Sequence, residues 1–175
     1  SLVPFYKLFE DRYTVYWRIY TPDAWEKKKN EDAAADARRK EIEQRTVDEV
    51  LAGERKSEAE HHLQGDTTMG GYYEGQGWRE SRNGWFSYDL RIGAGKPVTL
   101  VCTYQGSEGQ RRVFDVLVDG VNVGTQSMAN HPTESFDVEY ALPGTLTKGK
   151  SSITVEFRAQ PQAMTGSVLD VRVVQ

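Results

Sequence analysis

At 175 residues, with 38% hydrophobic and 27% charged residues, the chain has the makeup of one globular domain plus an appendage. Its net charge of −4 argues against the broad basic footprint of a nucleic-acid binder, and no apolar run approaches the ~20 residues of a membrane span. A single cysteine, Cys102, excludes an intrachain disulfide.

Neither a basic region nor a long apolar stretch opens the chain, and no initiator Met is present, so a fragment of a longer protein is expected. Residues 1–22 are aromatic and β-branched, and Arg12 to Tyr20 has strong strand propensity before Pro22 and Asp23 break it. From Ala24 to about Arg45 the residues are mostly helix formers. Opposite charges recur four apart, as in Asp36 with Lys40 and Glu41 with Arg45. Trp25, Ala33, Ala37 and Ile42 form only a thin apolar stripe, which predicts a solvated connector helix, with the connector as a whole spanning 23–51.

From roughly Thr46 onward the pattern is β, with residues 52–175 expected as the sandwich proper. Phe86, Tyr88, Leu90 and Ile92 alternate on one face of a strand; Val98, Leu100, Cys102 and Tyr104 do so on the next. A Gly106-Ser107-Glu108-Gly109 turn follows. Asp119-Gly120 between Val113–Val118 and Val121–Val123 signals a hairpin. Strands at Phe136–Leu142, Ile153–Arg158 and Val168–Val174 complete a mainly β fold, a β-sandwich or jelly roll.

Candidate chemistry is sparse. His61 and His62 lie beside Glu58 and Glu60, but adjacent histidines on an extended segment face opposite ways, so one packed and one exposed histidine is expected rather than a zinc site. Cys102, mid-strand beside Leu100, reads as a small buried hydrophobe rather than a nucleophile. The acidic residues lie mostly in the helix or on turns, and no pair of them is assigned catalysis.

The segment from Gly70 to Trp85 is more informative. Its glycines allow close backbone approach, while Tyr72, Tyr73, Trp78, Arg79, Arg82, Asn83 and Trp85 supply flat apolar faces and fixed hydrogen-bonding groups. Sugars present matching surfaces, C–H patches beside hydroxyls. These seven residues are the candidate carbohydrate contacts. Trp78 and Trp85 have an equally plain alternative, that each caps the sandwich core or an interface.

Leu2-Val3-Pro4-Phe5-Tyr6 with Asp11 to Trp17, then Ser57 to His61, Gly77-Trp78-Arg79, Gly84 to Tyr88 and Phe114 to Gly120, resembles the C-terminal region of glycoside hydrolase families 127 and 146. Those are β-L-arabinofuranosidase-like enzymes. The resemblance implies that residues 1–22 are a strand segment from the end of a preceding domain, and that the rest is a non-catalytic accessory domain. Its partners would be the parent's catalytic domain and an arabinose-containing oligosaccharide, in a periplasmic or extracellular setting. No catalytic residue carries over, because Cys102 sits in no matching motif. The β region is also similar to the galactose-binding-like jelly rolls of carbohydrate-binding modules in families 6 and 35. That similarity implies a Glu-Ala-Glu strand, here Glu58-Ala59-Glu60, and a last strand carrying Asp170, which together would hold a structural calcium. The competing reading of Glu58 and Glu60 is pairing with nearby Arg or Lys. An autonomous sugar-targeting module, a purely structural interdomain wedge and an independent enzyme are the other functional readings, the enzyme being the weakest.

Overall fold

The computed structural model describes residues 19–73, 75–106, 109, 111–131 and 133–175, with the Tyr73 side chain excepted. The strand expected at 12–20 therefore lies largely outside the described residues, as do Ser107 and Glu108 of the expected turn. The chain divides into two compact units, residues 1–41 and 42–175.

In the first unit the helix α1 (Pro22–Arg45) begins at a proline, whose fixed φ and missing N–H suit a first helical position. Thr21 caps it by accepting the Ala24 N–H at 3.3 Å. Along residues 22–41 the helix is almost wholly exposed and carries charged pairs such as Lys28–Asp32 at 2.6 Å and Arg39–Asp36 at 2.6 Å.

The second unit is a β-sandwich of nine strands: β1 (Thr46–Leu51), β2 (Gln64–Tyr73), β3 (Gln76–Arg91), β4 (Val98–Tyr104), β5 (Val113–Val118), β6 (Val121–Ser127), β7 (Phe136–Leu142), β8 (Ser152–Ala159) and β9 (Val168–Val174). Two short helices, α2 (Arg55–Glu60) and α3 (Gly144–Thr147), interrupt them. One layer runs β2-β3-β8-β5-β6 and the other β1-β9-β4-β7, all antiparallel. They join where Arg79 of β3 bridges Val168 of β9, so the sheet is nearly closed and jelly-roll-like.

The period-2 faces read from the sequence are the core faces. Phe86, Tyr88 and Leu90 meet Leu100, Cys102 and Tyr104 across the sandwich, with Phe114, Val116, Ile153, Val155, Phe157, Val171 and Val173 filling the space between. Phe157 stacks on Phe86 with centroids 5.1 Å apart. Burial drives the Cys102 thiol well above its ordinary range, so it is inert packing, as its strand position predicts. The β5–β6 hairpin turns through Asp119 (φ 50°) and Gly120 (φ 80°), the double left-handed geometry for which an Asp-Gly pair is suited. On the outer face of the second layer, Ile42 covers Val101 and Val174.

Two expectations need correction. Residues 46–51, assigned to the connector, form β1, which pairs with β9 from Thr46 opposite Val174 to Leu51 opposite Asp170. The Glu58-Ala59-Glu60 segment is a turn and a half of helix rather than a strand, in keeping with the helix-forming composition of Arg55 to Glu60.

Asp170 faces outward from β9 yet is buried, and among the described residues its Oδ1 has no hydrogen-bond partner. Burial pushes its carboxyl up to about 6, against the opposing pull of the Arg172 guanidinium 3.1 Å from Oδ2. Between pH ~4 and pH ~6 the folded state thus holds a proton that the unfolded chain, with an ordinary value of 3.8, has released. The contribution of Asp170 to stability is fullest below pH ~4 and is lost as pH rises through ~6. Asp170→Asn, which cannot ionise, is expected to stabilise the protein by about 1–2 kcal/mol above pH ~7 and by nothing below pH ~4. Urea unfolding of both proteins across that range checks it; a stabilisation independent of pH would contradict the linkage.

Candidate functional site

The residues around Trp78 form a cleft where the two layers join. β3 contributes Gln76, Trp78 and Glu80, three alternate positions on one face; Gln105 follows β4, Arg112 precedes β5, and Ser167 and Leu169 flank the start of β9. The cleft encloses about 450 Å³. Its indole wall is set by glycine. Gly71 of β2 lies directly opposite Trp78, and a Cβ there would come within 2.8 Å of the indole. Only a residue without a side chain leaves the ring that position.

The floor is a buried ion pair. Arg112 donates to Glu80 Oε2 at 2.6 Å and to the Thr165 carbonyl at 2.9 Å, and the Ser167 hydroxyl donates to the same Glu80 oxygen at 3.1 Å. Glu80 and Ser167 are buried, while Gln105 is exposed at the rim. The arrangement offers an apolar ring face beside fixed polar groups, which is what a sugar ring requires.

Of the other sequence candidates, Arg79 belongs to the structure rather than to a binding surface. Its guanidinium grips both Glu58 oxygens, Nε at 2.5 Å and Nη2 at 2.7 Å, and a third contact reaches the Thr68 hydroxyl at 3.3 Å. Burial pushes the Glu58 carboxyl up, but Arg79, the Gly53 N–H at 2.8 Å and the Tyr88 hydroxyl at 2.9 Å outweigh it and hold it below its ordinary range. Tyr72 is exposed on β2 and Trp85 is half-buried on the face of β3 away from the core; both lie outside the cleft. Arg82 and Asn83 line a separate cleft, and the Tyr73 side chain lies outside the described residues.

The calcium ligand set does not assemble. Glu58 is held by Arg79, Glu60 is exposed 3.9 Å from Lys56, and Asp170 lies beside Arg172. Among the described residues no three His, Cys, Asp or Glu side chains gather to hold a metal ion. A guanidinium sits where Glu58 would need a cation, so these residues do not fit the ion. Melting is expected at the same temperature, to within about 1 °C, with calcium as with a chelator; a calcium-dependent rise of several degrees would contradict this. The histidines part company as expected: His61 is buried against the Ser57 carbonyl (2.7 Å) and Asp48 (3.4 Å), and exposed His62 faces Asp89 at 3.2 Å.

Glu80 was within reach of the sequence, since it shares the strand face of Trp78 two residues away. Arg112 and Ser167 were not, because only the sandwich brings their segments beside β3.

No curated protein sequence matches the chain. Among solved structures, a family 35 carbohydrate-binding module from Clostridium thermocellum matches with a TM-score of 0.55 at 8% identity, over 74% of this chain and 100% of that one. A family 35 module from Paenibacillus barcinonensis matches at 0.51 and 11%, over 73% and 98%. An exo-β-1,3-galactanase from Phanerochaete chrysosporium, solved with β-1,3-galactotriose, matches at 0.51 and 10%, over 71% of this chain and 28% of the enzyme. At such identities these likenesses establish the jelly-roll fold. A sequence-family model matches residues 41–174, and the chain belongs to that family, a family of unknown function (DUF6805).

Proposed function

We propose that this is a non-catalytic carbohydrate-binding domain, whose sugar site is the cleft of Trp78, Glu80, Gln105, Arg112 and Ser167. The observation carrying this reading is the indole lying over a glycine at the wall of a cleft floored by a buried, hydrogen-bonded ion pair. The indole offers a stacking face, and the floor offers rigid hydrogen-bonding groups that need no rearrangement on binding. The likeness in fold to family 35 modules supports it. The finer reading places the domain beside the catalytic domain of a periplasmic or extracellular β-L-arabinofuranosidase-like hydrolase of families 127 and 146, acting on arabinofuranosyl glycans. The sequence resemblance of residues 2–17 and 57–120 supports that parentage.

Calorimetric titration with arabinose-containing oligosaccharides tests it. Saturable binding is expected, weakened about tenfold or more in Trp78→Ala, which remains folded. Absence of binding to arabinose-, galactose- and xylose-based oligosaccharides at millimolar concentration would overturn the sugar reading. It would favour the structural wedge, which draws on exposed Met69 and Tyr72 of the edge strand β2. Binding to another sugar but not to arabinosides would overturn only the arabinofuranosyl parentage.

A further inference from the structure

A second cleft of about 440 Å³ lies next to the first, lined by Arg82, Asn83, Arg111, Gln162, Ala163 and Met164. It is built by clamping the 160–165 segment between the middle of β3 and the approach to β5. The Asn83 N–H donates to the Ala163 carbonyl at 2.9 Å, the Gln162 N–H to Asn83 Oδ1 at 3.1 Å, and the Met164 N–H to the Arg111 carbonyl at 3.0 Å. Asn83 (φ 50°) and Gln162 (φ 64°) are both held in the left-handed region, a conformation that non-glycine residues keep only where surrounding contacts enforce it. Chain-adjacent residues line the two clefts. Arg111 faces this one and Arg112 the other, while Ser81 and Thr165 exchange hydrogen bonds at 2.8 and 2.9 Å between them.

The arginines distinguish this cleft chemically. Elsewhere in the sandwich Arg79, Arg91, Arg112, Arg158 and Arg172 each hold a carboxylate. Arg82 and Arg111 are exposed, line one cleft and meet no carboxylate among the described residues. In a chain of net charge −4, two guanidiniums without an acidic partner among the described residues, around one concavity, form a local site for an anion. Guanidinium forks bind carboxylate and sulfate oxygens in pairs, which is geometry a neutral hydroxyl cannot match.

We propose that this second cleft takes the negatively charged substituent of an acidic glycan, a uronate carboxylate or a sulfate ester, while a neighbouring residue of the same glycan occupies the Trp78 cleft. The inference rests on the carbohydrate-binding reading and adds the ligand's charge to it.

The test is calorimetric titration of the full chain with trigalacturonate, with its methyl ester, which keeps the rings and loses the charge, and with a sulfated galactose oligosaccharide. The wild type is expected to bind an acidic probe about tenfold or more tighter than the neutral ester at low salt, with the preference shrinking as salt rises. The double variant Arg82→Gln/Arg111→Gln is expected to bind acid and ester equally, the loss of affinity falling mainly on the acid. Trp78→Ala is expected to weaken both probes together. A preference for the sulfated probe alone, lost in the double variant, supports the site and assigns sulfate as its group. Equal wild-type affinity for acid and ester, or a preference that survives in the double variant, would overturn the proposal and leave the sugar-binding reading standing. Failure of these and of neutral arabinose-containing oligosaccharides to bind would overturn both.

Discussion

Arg79→Ala is expected to destabilise the protein by about 3–5 kcal/mol, or to prevent folding at ambient temperature. The reason is the state in which it leaves Glu58. That carboxylate is 4% exposed, and its two oxygens face the guanidinium fork, the Tyr88 hydroxyl and the Gly53 N–H. Removal of Arg79 leaves a buried charge whose desolvation is no longer compensated, so Glu58 must take up a proton or the site must open. The same pair makes a pH signature. The Glu58 carboxyl is held below its ordinary value of 4.5, so its contribution to stability is present above that value and is lost as pH falls through the folded one. Urea unfolding at pH ~7 and at successive values down to pH ~2 checks both parts. A variant that unfolds like the wild type yet loses sugar affinity would return Arg79 to the binding surface.

Glu80→Ala is expected to cost about 2–3 kcal/mol and also to weaken glycan binding about tenfold or more. The stability loss is the smaller because Arg112 retains the Thr165 carbonyl and is 20% exposed at its side chain, so water relieves part of the unpaired charge. The binding loss follows from the floor itself. Without Glu80, Arg112 and Ser167 lose their shared acceptor, and the polar half of the cleft is no longer fixed. Measured on protein that is more than about nine-tenths folded, the two effects separate. A variant that is destabilised but binds with wild-type affinity would show that the ion pair serves the fold alone.

The fold was legible because its signals are local. Alternation at Phe86, Tyr88 and Leu90 and at Leu100, Cys102 and Tyr104 specifies which faces are buried, since side chains in a strand point to opposite sides in turn. Asp119-Gly120 specifies a hairpin because its backbone tolerates two successive left-handed residues. The helix over 24–45 follows from composition. The resemblance to a strand motif misled at Glu58-Ala59-Glu60, against helix-forming residues, and the connector bounds misled at 46–51, although the β pattern starts at Thr46.

The site was legible only in outline. The glycine- and aromatic-rich stretch from 70 to 85 contains the Trp78 wall, the Glu80 floor and the Arg82 and Asn83 rim of the second cleft. Within it, strand alternation sets Arg79 and Arg82 on positions of opposite parity, but nothing local says that Arg79 meets the Glu58 carboxylate. That pairing depends on α2 carrying a carboxylate beside one arginine and not the other. The sequence by itself therefore determined the β architecture, the inert burial of Cys102 and a segment that lines both clefts, because these depend on periodicity and propensity within a few residues. Only the tertiary structure decided which arginines are spent inside the fold and which are left at the surface, because ion pairs such as Arg79–Glu58 and Arg112–Glu80 join residues 21 and 32 positions apart, and such distant partners are chosen by the packing of the sandwich.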